Sequence, residues 1–254
     1  MIDKLQAFRG QPLIVSDYIK INQPTLEEIV NYGESKYFQM VRTLACTPAD
    51  LNWQLHDMGI DYTKITEFEL FANMLVKLYS QEETEILFGD LDFSRFEFFV
   101  GETDDKMCLA QTTLDKNGNL DVIIIDEYTY MLIVNYLRTT HALVKNEIRP
   151  ANESTRIALI EDAKEEYLHR LKNPGEDEGE SYLLNMISAM VNSEGFKYNH
   201  DTVWDMKIYA FIDSVKRISK IKRSDVLLQS GYSGFGIDLN KLNEKELDWL
   251  GGLD

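Results

Sequence analysis

The run Thr202-Val203-Trp204-Asp205-Met206-Lys207-Ile208-Tyr209-Ala210-Phe211-Ile212-Asp213-Ser214-Val215-Lys216-Arg217-Ile218-Ser219-Lys220-Ile221 decides the fold. Trp204, Ile208, Phe211, Ile212, Val215, Ile218 and Ile221 recur at helical spacing, which lays an apolar stripe along one side of a rod. Thr202 and Asp205 occupy the two positions of a capping box, so the helix is expected to start at Thr202. Lys216, Arg217, Lys220, Lys222 and Arg223 crowd the far end, where positive charge complements a helix dipole. Fully burying seven such side chains contributes roughly 1.5–3 kcal/mol each, on the order of 10–20 kcal/mol before chain entropy is set against it. Such a stripe needs a partner surface, and the rest of the chain must supply it.

With 254 residues the chain is long enough for a sizeable core, and 44% hydrophobic with 11% aromatic residues describes a folded body. Net charge is −17, a surface that repels phosphate backbones, so a nucleic-acid groove needs a local basic patch. The only basic cluster is Lys216 to Arg223, which a helix C-terminus explains more simply, and no nucleic-acid partner is expected. Cys46 and Cys108 suit a reducing compartment, form no metal-binding pattern and read as small buried apolar residues. Asp3, Lys4 and Arg9 deny the N-terminus the character of a signal peptide, and apolar runs such as Met131 to Val134 are too short to span a bilayer. The chain is therefore read as intracellular, with no membrane partner.

Outward from the opening run, the remaining chain reads mainly as helices. Leu13-Ile14-Val15 and Tyr18 to Ile21 are possible short strands in a poorly patterned lead-in. Thr25 with Glu28 and Thr66 with Glu69 are capping boxes, and Thr47-Pro48-Ala49-Asp50 is a third helix start, its helix stopping near Gly59. The helix opened by Thr25 continues through Tyr37, Met40, Val41 and Leu44, with Gly33 placed to break or kink it. The middle differs. Phe96, Phe98 and Val100 recur at every second position, Met107 to Leu114 suits a strand, and Asn117-Gly118 signals a hairpin before the β-branched run Leu120 to Ile125. Asp126 then caps a helix through Tyr130, Met131, Val134, Leu137 and Leu143, and Asn152 to Leu171 forms a charged helix. The acidic, breaker-rich stretch Asn173 to Glu180 is a linker or mobile-loop candidate. Helices at about Tyr182 to Val191 and Glu244 to Leu250 flank the opening run and a tail marked by Gly231, Gly234 and Gly236. The expected fold is α+β and mainly α, a helical body with a small antiparallel sheet set into it. The expected division is a helical domain over 1–172 with a β insert at about 90–126, an acidic linker over 173–180, and a C-terminal helical segment with a Gly-rich tail over 181–254.

Each cluster that could carry chemistry has a plainer rival. Asp115, Asn117, Asn119, Asp121 and Asp126 approach calcium-loop spacing, yet Leu120 stands where such a loop requires glycine, and Gly118 stands where a hairpin uses one. Glu166-Tyr167-Leu168-His169 has the Glu-x-x-His spacing of di-iron bundles without a second copy, so a solvated helix face is preferred. Asp90, Asp104 and Lys106 (with Asp105 between the last two) loosely match the acidic-acidic-lysine arrangement of metal-dependent nucleases, which the surface charge opposes. Gly231 to Gly236 lacks the Lys-Ser/Thr ending of a phosphate loop. No catalytic residue, metal or cofactor is assigned.

Ile19 to Ile29, Phe68-Glu69-Leu70-Phe71, Arg149-Pro150-Ala151-Asn152 and the block from Val203-Trp204-Asp205 onward resemble proteins encoded among tail genes of tailed bacteriophages and related elements of Gram-positive bacteria. The similarity is one of general pattern over most of the chain, and it transfers no catalytic residue. It implies a non-enzymatic part in building or forming the virion tail or baseplate, as structural protein or chaperone, beside tail tube, tape-measure and hub proteins. The implied location is the host cytoplasm during assembly or the virion tail itself. Trp204, Phe211, Tyr232, Phe235, Leu247, Trp249 and Leu250 are the expected partner-binding residues, supplying apolar contacts on an acidic surface. The alternatives are a metal-dependent nuclease using Asp90, Asp104 and Lys106, and an acidic host-interaction protein or DNA mimic of a mobile element.

Overall fold

The capping residues set the helix starts. In the computed structural model, which describes residues 2–100, 106–173, 181–233, 236 and 242–253, Thr25 accepts a hydrogen bond from the Glu28 amide while Glu28 caps the Thr25 amide, opening α2 (Leu26–Tyr32). Gly33, at φ 105°, breaks the rod there, and α3 (Glu34–Ala45) follows. A short α1 (Lys4–Phe8) precedes both, capped by Asp3, in a lead-in whose sequence pattern does not show it. The two possible short strands are present as β1 (Leu13–Ile14) and β2 (Lys20–Ile21), and they pair antiparallel. The Thr47–Asp50 box opens a 3-10 turn that runs into α4 (Asn52–Asp57). The Thr66–Glu69 box opens α5 (Glu67–Leu70), which passes into a π-helical turn over Phe71–Leu75. Then comes α6 (Gln81–Phe88), a helix the sequence reading omits although Ser80 and Glu83 form a complete capping box.

The middle of the chain is the expected sheet. Strands β3 (Glu97–Val100), β4 (Met107–Leu114) and β5 (Leu120–Asp126) lie in that order, each antiparallel to the next. Residues 115–119 join β4 to β5, and the Asp115 carboxylate accepts from the amides of Asn117 and Asn119 and from the Asn119 side chain, at 2.8, 2.8 and 3.0 Å. That use of Asp115 is the hairpin reading of the acidic run. Asp126 caps α7 (Glu127–Thr140), which stops short of the expected Leu143 where Ala142 takes φ 52°, and Asn152 caps the exposed α8 (Glu153–Lys172). On α8, Glu166 pairs with Arg170 at 2.6 Å and His169 is exposed, as a solvated face requires. α9 (Tyr182–Val191) follows. The acidic linker candidate lies outside the described residues except for Asn173.

The deciding run is corrected at both ends. Thr202 does not cap a helix; its hydroxyl bonds Asn199, and Val203–Asp205 form a 3-10 turn. α10 runs from Ile208 to Tyr232. It starts late because residues 206–208 are tied to α2's entrance: Leu26 N–H donates to Met206 O, Ile208 N–H donates to Pro24 O, and Thr25 bridges Lys207. It ends late too, so the basic cluster lies along the middle of the helix and not at its C-terminus. Ile208, Phe211 and Ile212 are buried, while Trp204, Val215, Ile218 and Ile221 are half-buried. The stripe does face inward, but less of it leaves water than full burial assumes. Those buried residues join one core with Leu26, Tyr37, Phe71, Phe93, Tyr130 and Leu183.

Candidate functional site

The seven residues expected to bind a partner divide by burial. Phe211 is fully buried in the chain's own core, so the structure removes it from the contact surface. Trp204 and Leu247 are half-buried. Tyr232, Trp249 and Leu250 are 81%, 46% and 74% exposed, which leaves them free to meet another surface. Phe235 lies outside the described residues.

Trp249 and Leu250 are held by the basic cluster. After α11 (Glu244–Leu247) the chain returns along α10, and Arg217 Nη1 donates to the carbonyls of Trp249 and of Gly251, the latter at 2.9 Å. Lys220 donates to Gly252 O at 2.7 Å, and the buried Ser224 hydroxyl donates to Glu246 O at 2.8 Å. Arg223 pairs with the Glu246 carboxylate at 3.1 Å. A helix as short as α11 leaves its last carbonyls unpaired, and the Ser224 hydroxyl takes up that of Glu246, while Arg217 and Lys220 hold the carbonyls of the segment that follows the helix. The basic cluster therefore serves as a clamp for the C-terminal segment, a role that a helix-end or nucleic-acid reading misses. Its signal in the sequence is the spacing of Arg217, Lys220 and Ser224, which share one face of α10.

The residues of the nuclease alternative are not brought together as a described site. Asp90 is exposed in the turn after α6, Lys106 is exposed just before β4, and Asp104 lies outside the described residues. A cleft of about 910 Å³ does exist elsewhere, between the Thr47–Ala49 and Tyr62–Phe68 segments, α7 and residues 145–156. Its charges neutralise one another. Arg138, 8% exposed, donates from Nε and Nη2 to Ala45 O and from Nη2 to Glu67 at 2.8 Å, and Lys145 reaches Glu67 at 2.6 Å. Burial raises the Glu67 pKa, but the hydrogen bonds from Lys145 and Arg138 outweigh it and hold the carboxyl below its ordinary range. Glu67 thus ties α5, α7 and the segment after α7 together.

One buried titratable group stands apart. His141 receives the Tyr37 hydroxyl at Nε2, 2.6 Å away, and its Nδ1 lies 2.9 Å from Leu137 O. The Nδ1–H tautomer satisfies both contacts, and burial pushes the imidazole pKa down to about 4. It is a neutral core histidine.

Among the described residues no helix is long and apolar enough to cross a membrane. No curated protein and no solved structure matches the chain. A family model described as YomV second domain matches residues 173–254, the part that holds α9, α10 and the clamped segment. That match links the C-terminal third of the chain to a phage-encoded protein family.

Proposed function

We propose that this protein is a non-enzymatic assembly or structural protein of a phage tail or baseplate, working through contacts with tube, tape-measure or hub proteins. The observation that carries the reading is the clamped C-terminal segment: α10 presents Trp249 and Leu250 to solvent on a scaffold fixed by Arg217, Lys220 and Ser224. Large apolar side chains held at the surface by dedicated contacts are what a binding patch requires, and a net charge of −17 keeps such a patch from non-specific association. Its place within the region matched to a phage-encoded family supports a phage setting, and the general resemblance of most of the chain to proteins of tail gene clusters supports the tail.

The test is isolation of the tagged full chain from phage-producing cells, with identification of the proteins that accompany it. At least one tail protein is expected, and truncation after Ser233 should release it while the circular dichroism of the body persists. A full chain that retains no tail protein, or a truncated one that retains them all, would overturn the reading.

A further inference from the structure

An antiparallel sheet with one face on the core ordinarily alternates apolar and polar residues, and this one does not. On β5, Ile123 and Ile125 are buried against the core, yet the opposite face carries Leu120, Val122 and Ile124, 79%, 49% and 52% exposed. The register places Leu114 beside Leu120, Thr112 beside Val122, and Ala110 beside Ile124 and Glu97. Phe99, 48% exposed, completes the face beside Cys108. Leu-Asp-Val-Ile-Ile-Ile-Asp is thus the pattern of a strand buried on both faces, in a sheet that the described residues cover on one face only.

We infer that the outer face of β3–β5 docks a second protein whose apolar surface has a basic border. This rests on the reading that the chain works through protein contacts, and it adds a surface separate from the C-terminal segment. The rim sets the chemistry of the partner. Glu97 is exposed on the outer face at one end of the patch, where the Asp126 carboxylate is already taken up by the Thr129 amide, and the protein carries a net charge of −17, so cations around the partner's apolar surface are favoured and a second copy of this chain is repelled. The exposed apolar side chains amount to a patch of a few hundred Å². A stable interface buries about 800 Å² a side, so the partner must reach past the strands onto that rim. Strand addition at the free edge of β5 is not the mode, because the Asp121 carboxylate already accepts from the Val122 amide at 2.8 Å and places a charge there.

The experiment places a photo-crosslinking phenylalanine at position 122 of the full chain, and in a second variant at position 249, in phage-producing cells. Crosslinked peptides are then identified by mass spectrometry. The expected product at 122 joins a phage protein at a peptide of apolar residues flanked by Lys or Arg. That protein, once purified, should bind the Val122→Thr/Ile124→Thr variant at least about ten-fold more weakly than the wild type, with thermal unfolding unchanged. A crosslink to a second copy, a crosslink to an acid-bordered peptide, or an unchanged affinity overturns the proposal. Crosslinks at 249 without any at 122 overturn the sheet surface and leave the proposed function standing. No phage protein at either position overturns both.

Discussion

Phe211→Ala separates a core residue from a contact residue. Phe211 is fully buried, flanked on α10 by the buried Ile208 and Ile212, and α10 packs on α1 and α7. Deleting such a ring removes its transfer free energy and leaves a cavity, a cost of about 3–5 kcal/mol. For a chain of this size each kcal/mol shifts the melting midpoint by about 2–4 °C, so a drop of roughly 6–20 °C is expected. Trp249→Ala is the matched control. Its ring is 46% exposed and rests on a short segment, so the expected loss is about 1 kcal/mol or less. Urea unfolding followed by far-ultraviolet circular dichroism measures both, and a lower midpoint at unchanged slope reports lost stability. The reasoning is refuted if Phe211→Ala costs less than about 1 kcal/mol, or if Trp249→Ala costs as much.

Three further outcomes follow from other parts of the structure. His141 stays neutral in the folded protein with its pKa near 4, whereas the unfolded chain binds the proton near 6.5, so its stability contribution is whole above pH 6.5 and is lost as pH falls toward 4. The loss amounts to roughly 3 kcal/mol in all, and urea midpoints between pH 7 and 5 should fall in the wild type and stay flatter in His141→Gln. Ser80→Ala removes the hydroxyl that bonds the Glu83 amide and carboxylate, and should cost about 1 kcal/mol in the same assay. Arg217→Gln removes a cation from the carbonyls of Trp249 and Gly251, so limited proteolysis should cut within residues 242–253 several-fold faster, with global stability changed by less than about 1 kcal/mol.

How much of this was legible in the sequence depends on the range of each interaction. Capping is a matter of three residues, so the starts at Thr25, Thr66, Asp126 and Asn152 are where local reasoning puts them. The hairpin is equally local, since Gly118 takes φ 82° and Asp115 gathers the loop's amides. Thr202 shows the limit. Its pattern with Asp205 satisfies the same rule, but its hydroxyl bonds Asn199, and the backbone of residues 206–208 is taken up by the distant Pro24–Leu26 segment, which no local signal reports. Periodicity shows that the α10 stripe faces inward without showing how deep each residue lies, so the buried Phe211 and the half-buried Val215 look alike until the packing is seen. The clamp is a tertiary contact between segments about thirty residues apart, and the basic side chains alone read as a helix end. On β5 the β-branched run is visible, but that its outer face remains open is decided by which elements the rest of the chain packs there.

The central claim is that this chain acts by presenting apolar surface to another protein, with its C-terminal segment as a principal contact. Hydrogen–deuterium exchange on the free chain and on its complex with a co-isolated tail protein tests that most directly. Slowed exchange over 242–253 and the last turns of α10 is the predicted result, with the amides lining the Arg138–Glu67 cleft unchanged. Protection confined to that cleft, with none in the C-terminal segment, would contradict it.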